Sequence, residues 1–146
     1  MDSKLAPNLQ LIENFKDFYR DVKHPKLGKI DQVYADNIIF KDPIHELRGA
    51  EALHAYLSEM SVNVQSGHFE YLDQIVSDNM AYIKWNMHFK HPKLGKDTIT
   101  VRGMSQVQFH DCIYFHEDVY DLGQLLYENV PLLGSVVKGL KRRLAV

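Results

Sequence analysis

The sequence predicts an α+β domain in which helices cover the apolar face of an antiparallel sheet. Two observations carry this. Between Met80 and Asp121 three strands follow one another with period-two alternation, and upstream the segments Asn8–Val22 and Ala50–Met60 repeat apolar residues at helical spacing. A sheet with one dry face has to bury it, and the helices supply the second layer. A chain of 146 residues with 45% hydrophobic and 11% aromatic content suits one such domain with a real core, and argues against disorder.

In the first strand, Met80–Phe89, Ile83, Trp85, Met87 and Phe89 share the dry face while Tyr82, Lys84, Asn86 and His88 lie opposite. The second, Thr98–Phe109, alternates Ile99, Val101, Val107 and Phe109 with Thr100, Arg102, Gln106 and Gln108. The third, Cys112–Asp118, follows the short break at His110-Asp111. Upstream, Asn8 is placed as the N-cap of a helix to Val22 that presents Leu11, Phe15, Phe18, Tyr19 and Val22 on one side. The hexapeptide His24–Lys29 ends that helix and recurs at His91–Lys96; its Pro and Gly make both copies surface turns, and the flanking residues do not repeat. Ile30–Tyr34 suits a short helix, Ile38–Phe40 a strand ended by Lys41-Asp42-Pro43, and Ile44–Leu47 its hairpin arm. After Gly49, Ala52, Leu53, Tyr56, Leu57 and Met60 mark one face of the helix Ala50–Met60; Gly67–Ser77 is a strand, and Asp78-Asn79 the turn out of it. Beyond Asp121, Leu122–Val130 reads as a short helix stopped by Pro131. Leu132–Leu144 is then a basic amphipathic helix weakened by Gly134 and Gly139, expected to dock on its own domain or a second copy, with an anionic membrane surface as the lesser alternative.

The formal net charge of −2 gives no drive toward nucleic acid. One cysteine, Cys112, makes no intrachain disulfide, and Met1–Pro7 holds no apolar leader, so a cytoplasmic setting is expected.

The order and spacing of Tyr34-Ala35-Asp36-Asn37, Phe40-Lys41-Asp42-Pro43, Gly49, Leu53–Tyr56, Lys84-Trp85 and His116-Glu117-Asp118 resembles the nuclear transport factor 2-like superfamily. Within it the chain is similar to the SnoaL-like, polyketide cyclase-like branch over about residues 8–121. The resemblance implies a cone-shaped barrel, a strongly bent antiparallel sheet wrapped around the N-terminal helices, with a ligand pocket between them and frequent homodimerisation through the outer sheet face. Residues 1–121 would form this domain and 122–146 a C-terminal helical extension of it. No single activity is implied, because relatives include ketosteroid isomerases, polyketide cyclases, dehydratases, epoxide hydrolases and pocketed proteins without known catalysis.

The same resemblance selects candidate site residues. Asp42 falls where ketosteroid isomerases keep their proton-shuttling base, and a carboxylate beside an apolar pocket is suited to carbon acids; an Asp-Pro turn that binds its own backbone is the plain alternative. Ser105 matches the position of their protonated aspartate but is a weaker donor, and Tyr19 lies near their helix-one tyrosine. Asp118, with His116, sits where polyketide cyclases place an acid-base carboxylate. Strict alternation from Ile113 aims His116, Asp118 and Tyr120 away from the pocket, and a bulge would bring them in. Phe40, Tyr56, Trp85 and Met87 either line a ligand pocket or form plain core, and His45 is a further candidate donor.

The spacing of His88, His91, His110 and His116 does not build a metal site, and Cys112 reads as a small buried residue. No phosphate loop or dinucleotide fingerprint appears, and no cofactor is called for. The resemblance thus implies a pocket for a hydrophobic, carbonyl-bearing small molecule. Its catalytic form would be a cofactor-free isomerase, cyclase or dehydratase using Asp42 or Asp118, with His116 as a further catalytic candidate. The alternative is a non-catalytic ligand-binding or dimeric protein-interaction module whose outer sheet face carries Asn86, His88 and Arg102.

Overall fold

The computed structural model describes residues 5–125 and 133–145. Helix α1 (Leu5–Tyr19) is followed by a 3-10 turn at Leu27–Lys29, the short α2 (Ile30–Val33), strands β1 (Tyr34–Lys41) and β2 (Glu46–Arg48), and helix α3 (Ala50–Asn63). Strands β3 (Ser66–Val76), β4 (Met80–Lys90), β5 (Ile99–Phe109) and β6 (Ile113–Tyr120) then build most of the sheet, before α4 (Leu122–Leu125) and α5 (Leu133–Leu144). The expected helix Leu122–Val130 is seen only through Leu125; its remainder lies outside the described residues.

All six strands form one sheet in the order β2-β1-β6-β5-β4-β3. It is antiparallel except where β1 pairs with β6 in parallel, a pairing that hairpin reasoning did not foresee. The sheet is bent and cone-like and does not close, so β2 and β3 are its edges. Register shifts at Tyr71/Asp73, between Tyr34 and Ile39, and at Gln108/Phe109 are local irregularities of the kind that bend a strand.

Helix α1 starts earlier than expected. Pro7 is tolerated there because the first four N–H groups of a helix lack partners anyway. Asn8 is thus not a cap. Buried inside the helix, it donates from Nδ2 to the carbonyls of Ser77 and Asp78, both at 3.1 Å, and so ties α1 to the β3–β4 turn. The helix also ends earlier, at Tyr19. Val22 instead runs alongside β3, its N–H bonded to the Gly67 carbonyl at 2.9 Å. Gly67 permits this approach, since a Cβ there would sit 3.2 Å from the Cβ of Val22.

The inner face of the sheet meets α1 and α3. Phe15, Phe18, Tyr34, Ile38, Leu53, Leu57, Ile83, Val107, Phe109 and Ile113 are fully buried between them, and each large side chain so buried contributes about 1.5–3 kcal/mol. Ala52, expected on the buried face of α3, is exposed at the helix edge. Gly49 precedes α3 at φ 94°, a conformation only glycine adopts without strain.

In helix α5, Val136, Leu140 and Leu144 are exposed. The helix meets the domain along another edge, where Lys141 pairs with Asp121 and packs on Gly123.

Candidate functional site

A cavity of about 390 Å³ lies between the helices and the sheet, within the range of small-molecule sites. Tyr19 of α1, Phe40 of β1, Tyr56, Leu57 and Met60 of α3, Phe69 of β3 and Trp85, Met87 and Phe89 of β4 make its largely apolar wall. Tyr120 of β6, His91, Lys93 and Leu94 from the β4–β5 loop and Leu125 of α4 also line it, with Val22, Ile44 and Val64. Two carboxylates, Asp42 and Asp118, break the apolar lining.

The parallel β1–β6 pairing brings these carboxylates together. Phe40 faces His116 and Lys41 faces Glu117, so Asp42 just past the end of β1 and Asp118 near the end of β6 reach the wall of the same cavity. What turns Asp118 inward is a bulge: Phe109 pairs with Ile113, but Gln108 pairs with Phe115, leaving Tyr114 as the extra residue of β6. Ile113 and His116 are both buried as a result, and the simple alternation that aimed His116, Asp118 and Tyr120 outward is overturned.

Asp42 heads the tight turn between β1 and β2. Its Oδ1 accepts from the backbone N–H of Ile44 at 2.8 Å and of His45 at 2.6 Å, and the His45 ring lies at 3.2 Å. The turn arrangement is therefore real, yet the Asp42 side chain is only 4% exposed and lies on the cavity wall. The Tyr56 hydroxyl donates to its Oδ2 at 3.4 Å. Burial first, and then the Asp42 charge, holds the Tyr56 phenol well above its ordinary pKa; burial, Asp42 and Asp118 do the same for Tyr120. Both tyrosines stay neutral O–H donors at neutral pH.

Asp118 is held from behind. Ser105 Oγ donates to Asp118 Oδ1 at 2.5 Å, and Trp85 Nε1 donates to Ser105 Oγ at 2.9 Å. His116, 1% exposed, places Nε2 at 2.6 Å from the same Oδ1. Its Nδ1 lies 2.8 Å from the Tyr34 hydroxyl, which is 2.5 Å from the hydroxyl of Tyr19. With Asp118 ionised, one assignment satisfies every link: Tyr19 donates to Tyr34, Tyr34 to His116 Nδ1, and His116 Nε2–H to Asp118. Phe15 and Phe40 pack edge-on against the His116 ring and hold its plane. Burial keeps the Tyr19 and Tyr34 phenols well above their usual pKa, so this chain stays protonated. Both contacts go to Oδ1, and Oδ2 makes no hydrogen bond among the described residues.

Of the residues selected from sequence, Tyr19, Phe40, Asp42, Tyr56, Trp85, Met87 and Asp118 line the cavity. His116 and Ser105 do not; they stand behind Asp118, beside a void of about 20 Å³ with room for one water. His45 also stays off the wall, pairing with Asp42 from the solvent side. Sequence reasoning missed Tyr34, although it belongs to the Tyr-Ala-Asp-Asn segment, and the β4–β5 loop, where the hexapeptide read as a surface turn supplies part of the wall. Among the described residues no three His, Cys, Asp or Glu side chains converge on a metal-sized site.

The sequence matches the model of the SnoaL-like domain over residues 15–113, more than half of the chain. The chain belongs to the SnoaL-like family. Its fold is shared by solved structures of low identity. One, from Jannaschia sp. CCS1 and described as a SnoaL-like polyketide cyclase, is 7% identical with a TM-score of 0.73, covering 86% of this chain and 93% of that one. A ketosteroid isomerase-like fold from Catenulispora acidiphila, in complex with trimethylamine, is 11% identical with a TM-score of 0.70, covering 80% and 89%. TerC, co-crystallised with polyporic acid, is 12% identical with a TM-score of 0.69, covering 80% and 92%. No curated protein matches the chain in sequence. At such identities the likeness is one of fold, and SnoaL-like folds hold small-molecule binders, cyclases and isomerases.

Proposed function

We propose that this SnoaL-like protein binds a hydrophobic, carbonyl-bearing small molecule and moves a proton on it without a cofactor. The observation that carries the reading is the placement of two carboxylates on the wall of one apolar cavity large enough for a bicyclic molecule. Asp118 Oδ2 takes a proton from the carbon next to the carbonyl, and the C–H bonding pair passes into the enolate. Tyr120, whose hydroxyl makes no hydrogen bond among the described residues, donates to the enolate oxygen. Asp118 then returns the proton to another atom, which completes an isomerisation or prepares a cyclisation or dehydration. His116, Ser105 and Tyr34 are positioning residues that fix which oxygen of Asp118 meets the ligand. Asp42 and Tyr56 complete the polar side of the cavity.

2-Tetralone, a bicyclic ketone of suitable size, tests this in D2O. NMR is expected to show faster loss of its α-proton signals with the protein than in buffer, and no acceleration with Asp118→Asn. Equal rates with and without the wild-type protein would remove the catalytic reading and leave a binding module.

A second copy is the partner we propose for the outer sheet face, where Ile75, Tyr82, Met104 and Val119 are exposed on four adjoining strands. Asn86 and His88 of that face are tied to Glu70, and Arg102 is exposed beside them. Light scattering is expected to give a dimer that Val119→Glu converts to a monomer; a monomeric wild type contradicts it. The single cysteine supports the cytoplasm as the working location.

A further inference from the structure

We propose that α5 docks on an anionic lipid surface, with Val136, Leu140 and Leu144 inserted at the headgroup boundary and its basic side chains against the phosphates. At helical spacing these three residues fall on one stripe. They are 58%, 53% and 81% exposed, whereas the helix meets its own domain along a different edge, through Gly134 and Lys141. Among the described residues the apolar stripe therefore has no partner. Charge decides what covers it. From Leu133 to Val146 the chain carries Lys138, Lys141, Arg142 and Arg143 and no acidic residue. Lys141 is engaged by Asp121; Lys138, Arg142 and Arg143 form no salt bridge among the described residues and are exposed around the stripe.

A strongly amphipathic, basic helix of low overall hydrophobicity is the type that lies in the membrane interface rather than crossing it. In keeping with that, no described helix is long and apolar enough to span a bilayer. A second copy of this chain fits less well, because pairing two such helices would set like charges beside each other. The docked helix would also bring α4 close to the lipid, and Leu125 of α4 lines the cavity. An apolar ligand would then have a short path from the bilayer.

The test is co-sedimentation of the full-length protein with vesicles of phosphatidylcholine alone or with about one-third phosphatidylglycerol. Binding to the anionic vesicles is expected to be at least about tenfold stronger than to neutral ones and to fall as salt rises. Leu140→Asp and the double variant Lys138→Glu/Arg142→Glu should each lower it about tenfold or more. All three positions are exposed, so the variants should keep the wild-type melting temperature. Absence of binding overturns the proposal, as does equal binding to both vesicle types. A change in oligomer size with Leu140→Asp, in a protein that ignores vesicles, would assign the stripe to a second copy instead.

Discussion

Asp42 and Asp118 line one cavity and each has a histidine at hydrogen-bond distance, yet they are held in opposite ways. Asp42 is fixed by local backbone. Two N–H groups of its own turn grip Oδ1, and the ring of His45, 37% exposed, adds a longer contact from the solvent side. Asp118 is fixed by distant side chains: a chain of buried hydroxyls and rings running from α1 through β1 and β6 to β5 and β4. Backbone donors at a turn fix a carboxylate oxygen through purely local contacts. A network that loads one oxygen of a carboxylate on the cavity wall is what the proposed proton transfer by Asp118 rests on.

Breaking the buried side of this comparison should cost most. His116→Ala removes one hydrogen-bond partner each from the Tyr34 hydroxyl and Asp118 and opens a void in the core. A loss of about 3–5 kcal/mol is expected in chemical denaturation. Gly103→Ala comes next, since a Cβ there would overlap the Trp85 indole ring. About 1–3 kcal/mol should be lost, with a shift in Trp85 fluorescence as the ring moves into the cavity. Tyr34→Phe, which removes one hydroxyl from the chain, should cost about 1–2 kcal/mol.

The same residue sharpens the comparison through pH. Burial raises the Tyr19 and Tyr34 phenols well above the value they have in the unfolded chain, near 10. Their contribution is fully present below about pH 10 and is lost as pH rises through the folded values, because the unfolded state releases its protons first. Stability should therefore fall above about pH 10, and less steeply in Tyr34→Phe. The smallest effect belongs to the turn. His45→Ala should change stability by less than about 1 kcal/mol, because backbone N–H groups still hold Asp42.

The strands, α3 and most of the apolar faces were legible because local pattern determines them: alternation through Ile83, Trp85 and Phe89, and helical spacing through Leu53 and Leu57. The direction of Asp118 was not, since it turns on one extra residue, Tyr114, that no local pattern marks. The parallel β1–β6 contact was equally hidden. It joins segments more than 70 residues apart, and with it came the arrival of Asp42 and Asp118 at one cavity and the place of Tyr34. Asn8 misled for a related reason: an N-cap residue type was used inside the helix to hold a remote turn.

The difference between the two carboxylates is tested most directly by α-proton exchange of 2-tetralone in D2O with wild type, Asp42→Asn and Asp118→Asn, each checked for an unchanged fold. Loss of a general base costs about 100- to 10,000-fold in rate. The expected result is a loss of that order for Asp118→Asn and a drop of about tenfold or less for Asp42→Asn. The reverse order, or equal rates in all three proteins, would contradict the assignment of Asp118 as the proton-transfer group.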